Sequence, residues 1–424
     1  QADARERAIL VGLDSQASVG WDIEESVQEL GSLASTAGAV VAGQVIQRKQ
    51  KPDPSYYIGE GKAREVEMIR AATGASLVIF DDELSPAQQR NLEQVIEGRV
   101  IDRTWLILDI FAQRAATAEG KLQVELAQLE YMLPRLGGRG TELSRLGGGI
   151  GTRGPGESKL ETDRRAIRSR ISSIRRQIEE VRVRRGIQRR RRREANLATV
   201  SLVGYTNAGK SSLMNALTDA RTVVEDKLFA TLDPMTRRLE LPDGQRILLT
   251  DTVGFIQKIP HHLVMAFRAT LEEVTEADLL LHVVDVSHPR AQEHYSAVFG
   301  VLSELGAQNR PCITVLNKVD VAEAAALARF AHSYPKSTAV SALTGEGLEA
   351  LTRMIAAELA GRRVRVDVAL PCDDPLIALI RRRGRVISED YDGDRISIRA
   401  EVDRALAGRI AKAGRIGHSG VDNG

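Results

Sequence analysis

The sequence predicts an α/β fold in four parts: a small N-terminal parallel α/β domain, an antiparallel helical hairpin, a larger parallel α/β domain and a small C-terminal α+β domain. Three observations predict it. Short β-rich runs alternate with helical patterns in two separate stretches of the chain. Between them, two apolar seams with a 4, 3, 4, 3 spacing flank a glycine-rich segment. The length, 424 residues, accommodates about three domains of ordinary size.

In the first part, 1–112, residues 7–13 read as a strand, 22–36 as a helix, 39–47 as a strand, 62–72 as a helix and 76–80 as a strand. A Ser-Pro pair opens a helix over 85–97, and 100–102 is one more strand. In the second part, 113–196, one seam is Leu122, Leu126, Leu129, Leu133 and Leu136. The other is Ile167, Ile171, Ile174, Ile178 and Val181. The segment 137–156 between them, with nine glycines in 20 residues, reads as a long functional loop. The arms, 117–136 and 160–181, match at about 30 and 33 Å. Gly186 is expected to end the second arm, leaving Arg189, Arg190, Arg191, Arg192 and Arg193 as a loop or frayed end at the hairpin base.

The third part, 197–361, places strands at 199–203, 238–241, 246–250, 279–286 and 311–316. Helices are expected at 210–217, 289–305, 321–332 and 347–360, and a hairpin turn at Pro242-Asp243-Gly244-Gln245. The tail, 362–424, reads strand, helix, strand, strand, helix, its hairpin marked by Tyr391-Asp392-Gly393-Asp394.

Hydrophobic residues at 43% and charged residues at 27% are ordinary for a globular protein. No apolar run approaches the roughly 20 residues of a membrane span. The start, Gln1 to Arg7, lacks the basic-then-apolar pattern of a signal peptide. Only Cys312 and Cys372 occur, with no CxxC pair, so a disulfide scaffold and a cysteine zinc site are excluded and a cytoplasmic location is expected. The net charge of +2 hides an asymmetry: 135–193 carries 18 Arg and one Lys against six acidic residues, net +13, and the remainder is −11. With too few acidic partners for i,i+4 pairs, this cluster reads as a surface for nucleic acid.

Gly204-Tyr205-Thr206-Asn207-Ala208-Gly209-Lys210-Ser211 fits G-x-x-x-x-G-K-[ST] between a predicted strand and a predicted helix. Backbone N–H groups of such a loop cradle phosphates, with Ser212 following in the helix. Lys210 is expected on the β- and γ-phosphates and Ser211 on Mg²⁺. Asp251-Thr252-Val253-Gly254 ends a strand 41 residues past Lys210. Asp251 can hold Mg²⁺ through water, and the Gly254 N–H can bond the γ-phosphate. Asn317-Lys318-Val319-Asp320 follows a buried strand, where a carboxylate can accept from guanine N1–H and N2–H₂. Ser341-Ala342 can offer an N–H to guanine O6. Four motifs in this order point to GTP and GDP with Mg²⁺, on a P-loop GTPase (Ras-like) domain. The catalytic candidates are Lys210, Thr231 and Gly254, and the metal candidates Ser211 and Thr231, with Thr236 the second choice in the segment 228–236. Phe255 stands where Ras-type enzymes place a water-orienting Gln, so unaided hydrolysis is expected to be slow. Gly59-Glu60-Gly61-Lys62 lacks the spacing of a dinucleotide fingerprint and reads as a turn and helix start, while His261, His262 and His282 read as non-ligands.

Together these residues resemble the HflX family of translation-factor-class GTPases. Its marks are Tyr57-Ile58-Gly59-Glu60-Gly61-Lys62, the run Glu119-Gly120-Lys121-Leu122 through Leu129, the glycine-rich loop closing on Gly154-Pro155-Gly156-Glu157-Ser158-Lys159, and 228–236. The resemblance implies a monomeric, cytoplasmic protein that binds the large ribosomal subunit and its rRNA and splits ribosomes under stress. It places the hairpin loop toward the peptidyl-transferase centre. Arg139, Arg145 and Arg153 of that loop, with Arg189 to Arg193, are the candidate rRNA contacts, although the arginine run looks like an insertion. Met235 departs from a Thr common in the family. Two alternatives stay open: an rRNA-binding assembly or hibernation factor whose nucleotide only regulates docking, and an ATP-driven RNA remodeller using the Gly59–Lys62 loop.

Overall fold

The computed structural model describes residues 6–15, 22–137, 155–194, 197–218, 228–229, 231–258, 268–361 and 363–412. The loop arginines Arg139, Arg145 and Arg153, and His261 and His262, lie outside these residues. Among the described residues, three sheets organise the chain. The first has four parallel strands in the order β2-β1-β3-β4: β1 Arg7–Asp14, β2 Val40–Arg48, β3 Leu77–Phe80 and β4 Arg99–Asp102. Three helices connect them: α1 Ile23–Thr36, α2 Glu60–Thr73 and α3 Pro86–Ile96. Asp22 caps α1, and Ser85 with Gln88 forms a capping box on α3, so side-chain oxygens satisfy the first free N–H groups.

A helix unforeseen in the sequence follows, α4 Arg103–Arg114. Seven of its residues, Arg103, Thr104, Leu106, Ile107, Leu108, Ile110 and Phe111, are buried. Among its less buried residues, Trp105, Asp109, Ala112 and Gln113 form one narrow face with only two polar members, so its 3.6-residue period is weakly marked. It runs into the first hairpin arm, α5 Ala118–Met132, closed by a 3-10 turn Leu133–Gly137.

The second arm, α6 Pro155–Glu194, is a single 40-residue helix. Four expectations are corrected by it. Pro155 and Gly156 belong to the helix, with proline in the first turn where its missing N–H is harmless. Gly186 does not terminate the arm; it sits inside the helix in open space. A glycine there costs roughly 1 kcal/mol. Side-chain contacts offset that cost. Ile171 and Ile174 bury against Leu126, with Leu122, Leu129, Ile167 and Ile178 beside them. Arg170–Glu125 (2.7 Å), Arg175–Glu130 (2.8 Å), Arg185–Glu119 (2.7 Å) and Arg182–Glu272 (2.9 Å) tie the helix to its neighbours. Arg189 to Arg193 are therefore the last turns of a helix, not a loop. The arms are also unequal, 15 residues against 40.

The second sheet has six strands in the order β10-β9-β8-β5-β7-β6. They are β5 Ala198–Gly204, β6 Met235–Glu240, β7 Arg246–Asp251, β8 Leu279–Asp285, β9 Cys312–Asn317 and β10 Ser337–Ala339. Only the edge strand β6 is antiparallel, returning through the turn at Gly244. Helix α7 Lys210–Thr218 leaves β5; α8 Arg268–Thr275, α9 Ala291–Glu304, α10 Ala324–Ser333 and α11 Leu348–Ala360 follow. The tail's strands β11 Arg363–Pro371, β12 Arg385–Asp392 and β13 Arg395–Asp403 form an antiparallel sheet in the order β11-β13-β12, with helices Pro375–Arg383 and Arg404–Lys412, in the expected element order. No described helix is long and apolar enough to cross a membrane.

One apolar core joins the first two sheets. It holds Leu30 and Leu33 of α1, Ile107 and Phe111 of α4, and Phe229, Leu232, Phe255 and Leu271 from the second sheet's half.

Candidate functional site

The site forms at the carboxyl ends of β5, β7, β8 and β9, where an open parallel sheet presents its loops to a ligand. Close approach decides the loop after β5. A Cβ at Gly204 would stand 2.3 Å from the Val283 carbonyl oxygen. At Gly209, with φ of +90°, a Cβ would stand 2.2 Å from Asn317 Nδ2, so both glycines are demanded by packing. Lys210 opens α7 and turns back over the loop, its Nζ donating to the carbonyls of Gly204 (3.0 Å) and Tyr205 (2.7 Å). Burial pushes its ammonium pKa down to about 8, with Asp251 acting in the opposite direction.

Three oxygens converge beside it. Ser211 Oγ donates to Asp251 Oδ2 at 2.6 Å, Thr231 Oγ1 donates to the same oxygen at 3.0 Å, and the two hydroxyls are 3.0 Å apart. Asp251 Oδ1 is buried with no protein partner, and burial raises this carboxyl's pKa against the pull of Lys210. Hard oxygen donors in that arrangement suit Mg²⁺. Thr236 is not part of the cluster; its hydroxyl pairs with Thr250 across β6 and β7 at 3.1 Å. Gly254 packs against the loop, where a Cβ would meet Thr206 Cγ2 at 2.8 Å and Lys210 Nζ at 3.1 Å. Thr206 Oγ1 is also buried without a partner, and Ser212 follows half-buried in α7.

Asn317 fastens the far side. Its Nδ2 donates to Ala208 O (2.8 Å), and its Oδ1 accepts from Ala342 N (3.1 Å). Lys318 pairs with Asp285 at 2.7 Å, Ser341 Oγ accepts from Thr344 N at 3.1 Å, and Asp320 is exposed at the rim. The residues named from the motifs thus meet at one end of one sheet.

Tyr205 has a second role, carried by its side chain. Its carbonyl serves Lys210, but its side chain leaves the cradle: the hydroxyl donates to Glu29 of α1 (2.6 Å) and accepts from Gln257 N (2.9 Å). Its ring stacks on His294 with centroids 3.9 Å apart. A cavity of about 430 Å³ opens here, lined among others by Glu29, Thr206, Asn207, Asp285, His288 and His294. Phe255 also turns inward, 2% exposed, while its backbone bonds Gly204 and Thr206. Four residues past Gly254, Lys258 pairs with Asp81 and with Asp82 (2.7 Å) of the first sheet's loops. Burial alone would raise the Asp81 carboxyl, but Arg103 and Lys258 outweigh it and hold it below the usual range. Sequence reasoning missed Glu29, Asp81, Arg103 and Lys258, since a lone charge far along the chain signals no partner.

At the first sheet, Gly59 (φ +89°) starts α2 and Lys62 pairs with Glu65 at 2.7 Å, as a turn and helix start require. His282 lies buried in β8 beside Tyr295 and Phe299, its pKa pushed down to about 3, chiefly by burial.

Four family models match in chain order: GTP-binding GTPase N-terminal over 24–112, GTP-binding GTPase Middle Region over 114–192, 50S ribosome-binding GTPase over 199–318, and HflX C-terminal domain over 326–417. The GTPase HflX of Caldanaerobacter subterraneus subsp. tengcongensis is 50% identical over 407 residues, covering 96% of this chain and 93% of that protein. The GTPase HflX of Escherichia coli strain K12 is 50% identical over 372 residues, covering 87% and 86%. A GTP-binding protein from the archaeon Sulfolobus solfataricus, solved in complex with GDP, aligns at 24% identity and a TM-score of 0.43, covering 84% of this chain and 99% of that one. With the cradle, the motif order and the match over nearly its full length together, this chain is a GTP-hydrolysing enzyme and belongs to the HflX family.

Proposed function

We propose that this chain, in its GTP state, binds the large ribosomal subunit in the cytoplasm and separates ribosomes into subunits. The reading rests on one observation above others. The two segments that would sense the γ-phosphate, around Thr231 and after Gly254, also touch the N-terminal parts of the molecule. A change at the nucleotide therefore has a physical route to the arginine-rich hairpin.

In this reading backbone N–H groups of the loop around Asn207 and Gly209, with the Lys210 ammonium, hold the phosphates, while the Thr206 N–H is engaged by the Phe255 carbonyl. Ser211 and Thr231 would hold Mg²⁺, with the Asp251 carboxylate beside them. Mg²⁺ supplies charge neutralisation on the β- and γ-phosphates. The Gly254 N–H bonds the γ-phosphate, and Asp320, Asn317 and the Ala342 N–H read guanine. Thr231 and Gly254 together order both segments, a population shift toward one docked state of the hairpin. Arg189 to Arg193, on the last helical turns, and Arg139, Arg145 and Arg153 meet rRNA phosphates. Phe255, turned into the core, orients no water, so hydrolysis and release are slow without a partner.

Sedimentation of intact ribosomes tests this. A non-hydrolysable GTP analogue should support one round of splitting and trap the protein on the large subunit, and GDP should do neither. Splitting that fails with the analogue would make hydrolysis the driving step. Binding without splitting in any nucleotide state would leave an assembly or hibernation factor.

A further inference from the structure

We propose that Asp233 is a positioning residue that joins the nucleotide site to the hairpin, so that Thr231 reaches its metal position only with the hairpin's first arm in place. The inference rests on the metal role proposed for Thr231. Asp233 Oδ2 accepts from the backbone N–H groups of Ala116 (2.8 Å) and Thr117 (2.8 Å), and its other oxygen accepts from the Thr117 hydroxyl. Thr117 is the N-cap of α5, and its Oγ1 accepts from Gly120 N at 3.0 Å. The carboxylate thus sits at the positive end of the first arm, on donors that have no partner within the helix.

Three further features hold the same segment there. Leu232 and Phe229 are each 2% exposed, and the Phe229 ring meets Phe111 of α4 edge-on with centroids 4.8 Å apart. A Cβ on Gly120 would stand 2.4 Å from Asp233 Oδ1, so this glycine makes room for the carboxylate. Gly120, part of a sequence mark that the nucleotide chemistry leaves unused, has its reason here. Thr231 lies between these anchors and turns the other way, onto Ser211 and Asp251. Two residues of chain reach at most about 7 Å, so Thr231 and the elbow between α4 and α5 cannot move independently. Coupling of this kind is reciprocal: a ligand that holds Thr231 steadies the arm, and a loosened arm weakens that ligand.

The test uses the full chain without ribosomes, so it is separate from splitting. In the parent, the non-hydrolysable GTP analogue with Mg²⁺ should slow hydrogen exchange at the Ala116 and Thr117 amides relative to GDP. Asp233→Ala should abolish that difference and lower analogue affinity about fivefold or more, with GDP affinity held. Gly120→Ala should do the same by displacing the carboxylate, although alanine is the better helix former. An unchanged analogue-to-GDP affinity ratio in both variants would overturn the proposal. So would equal losses for both nucleotides, which mark a general defect of the fold. An unchanged ratio in Thr231→Ala would instead remove the metal reading beneath it, so the two failures are distinguishable.

Discussion

The first and second sheets of this molecule use the same device with different results. Each is parallel apart from the edge strand β6, each launches a helix from a loop holding glycine and lysine, and each ends a strand on a buried aspartate. In the first sheet Asp102 is spoken for by its own chain. It accepts from Trp105 N (2.9 Å) and Leu84 N (3.0 Å), and Arg135 stands 3.5 Å away. Lys62 pairs with Glu65 on its own helix. In the second sheet Asp251 keeps one oxygen buried without a partner, and Lys210 is buried over its loop carbonyls. A buried polar atom left unpaired is costly, and Asp251 Oδ1 stands beside Ser211, Thr231 and Lys210, where a ligand would complete the bonding. A glycine-lysine pattern is therefore not a phosphate site by itself; converging side chains from other segments make it one.

The most forceful way to break the comparison is to exchange the roles of the lysines. Lys210→Ala should cost GTP affinity about 2–5 kcal/mol, between one and four decades, whereas Lys62→Ala should leave it unchanged. Calorimetric titration of both variants would reveal the reverse outcome, which would move the nucleotide to the first sheet. Next in size is the base. Asp320→Asn should weaken guanine nucleotides by about 1.5–3 kcal/mol and turn preference toward xanthine nucleotides, because the amide presents a donor to an acceptor. Equal GTP affinity in parent and variant would remove Asp320 from base recognition.

A smaller effect concerns the floor of the second sheet. His282 stays neutral in the fold down to about pH 3, while the unfolded chain takes up a proton below about 6.5. The unfolded state binds more protons across that window, so the contribution is full above pH 6.5 and is lost as pH falls, at about 1.4 kcal/mol per unit. His282→Leu should flatten the acid limb of stability, by about 2 kcal/mol between pH 7 and pH 5 in urea unfolding. Parallel acid limbs in variant and parent would show that His282 is protonated within the fold.

Much of this architecture was legible because its signals are local. Alternation of period reveals strands and helices, the 4, 3, 4, 3 seams reveal the hairpin arms, and an eight-residue loop states its own chemistry. Helix α4 was hard to read, because only Asp109 and Gln113 mark its narrow outer face within an otherwise apolar run. Gly186 misled for a related reason: a glycine ends a helix only where nothing else holds it, and here ion pairs and two buried isoleucines do.

The sequence by itself determined the fold class, the nucleotide motifs and the basic character of the hairpin. Only the tertiary structure decided that Thr231 rather than Thr236 faces Ser211 and Asp251, that Tyr205 reaches out to Glu29, and that Asp233 and Lys258 reach Thr117 and Asp81. Those contacts of Tyr205, Asp233 and Lys258 join residues 176, 116 and 177 positions apart. A charge or hydroxyl can pair with any complementary group that comes near. Which one comes near is chosen by the packing of the core between the two sheets, and no local pattern encodes that choice.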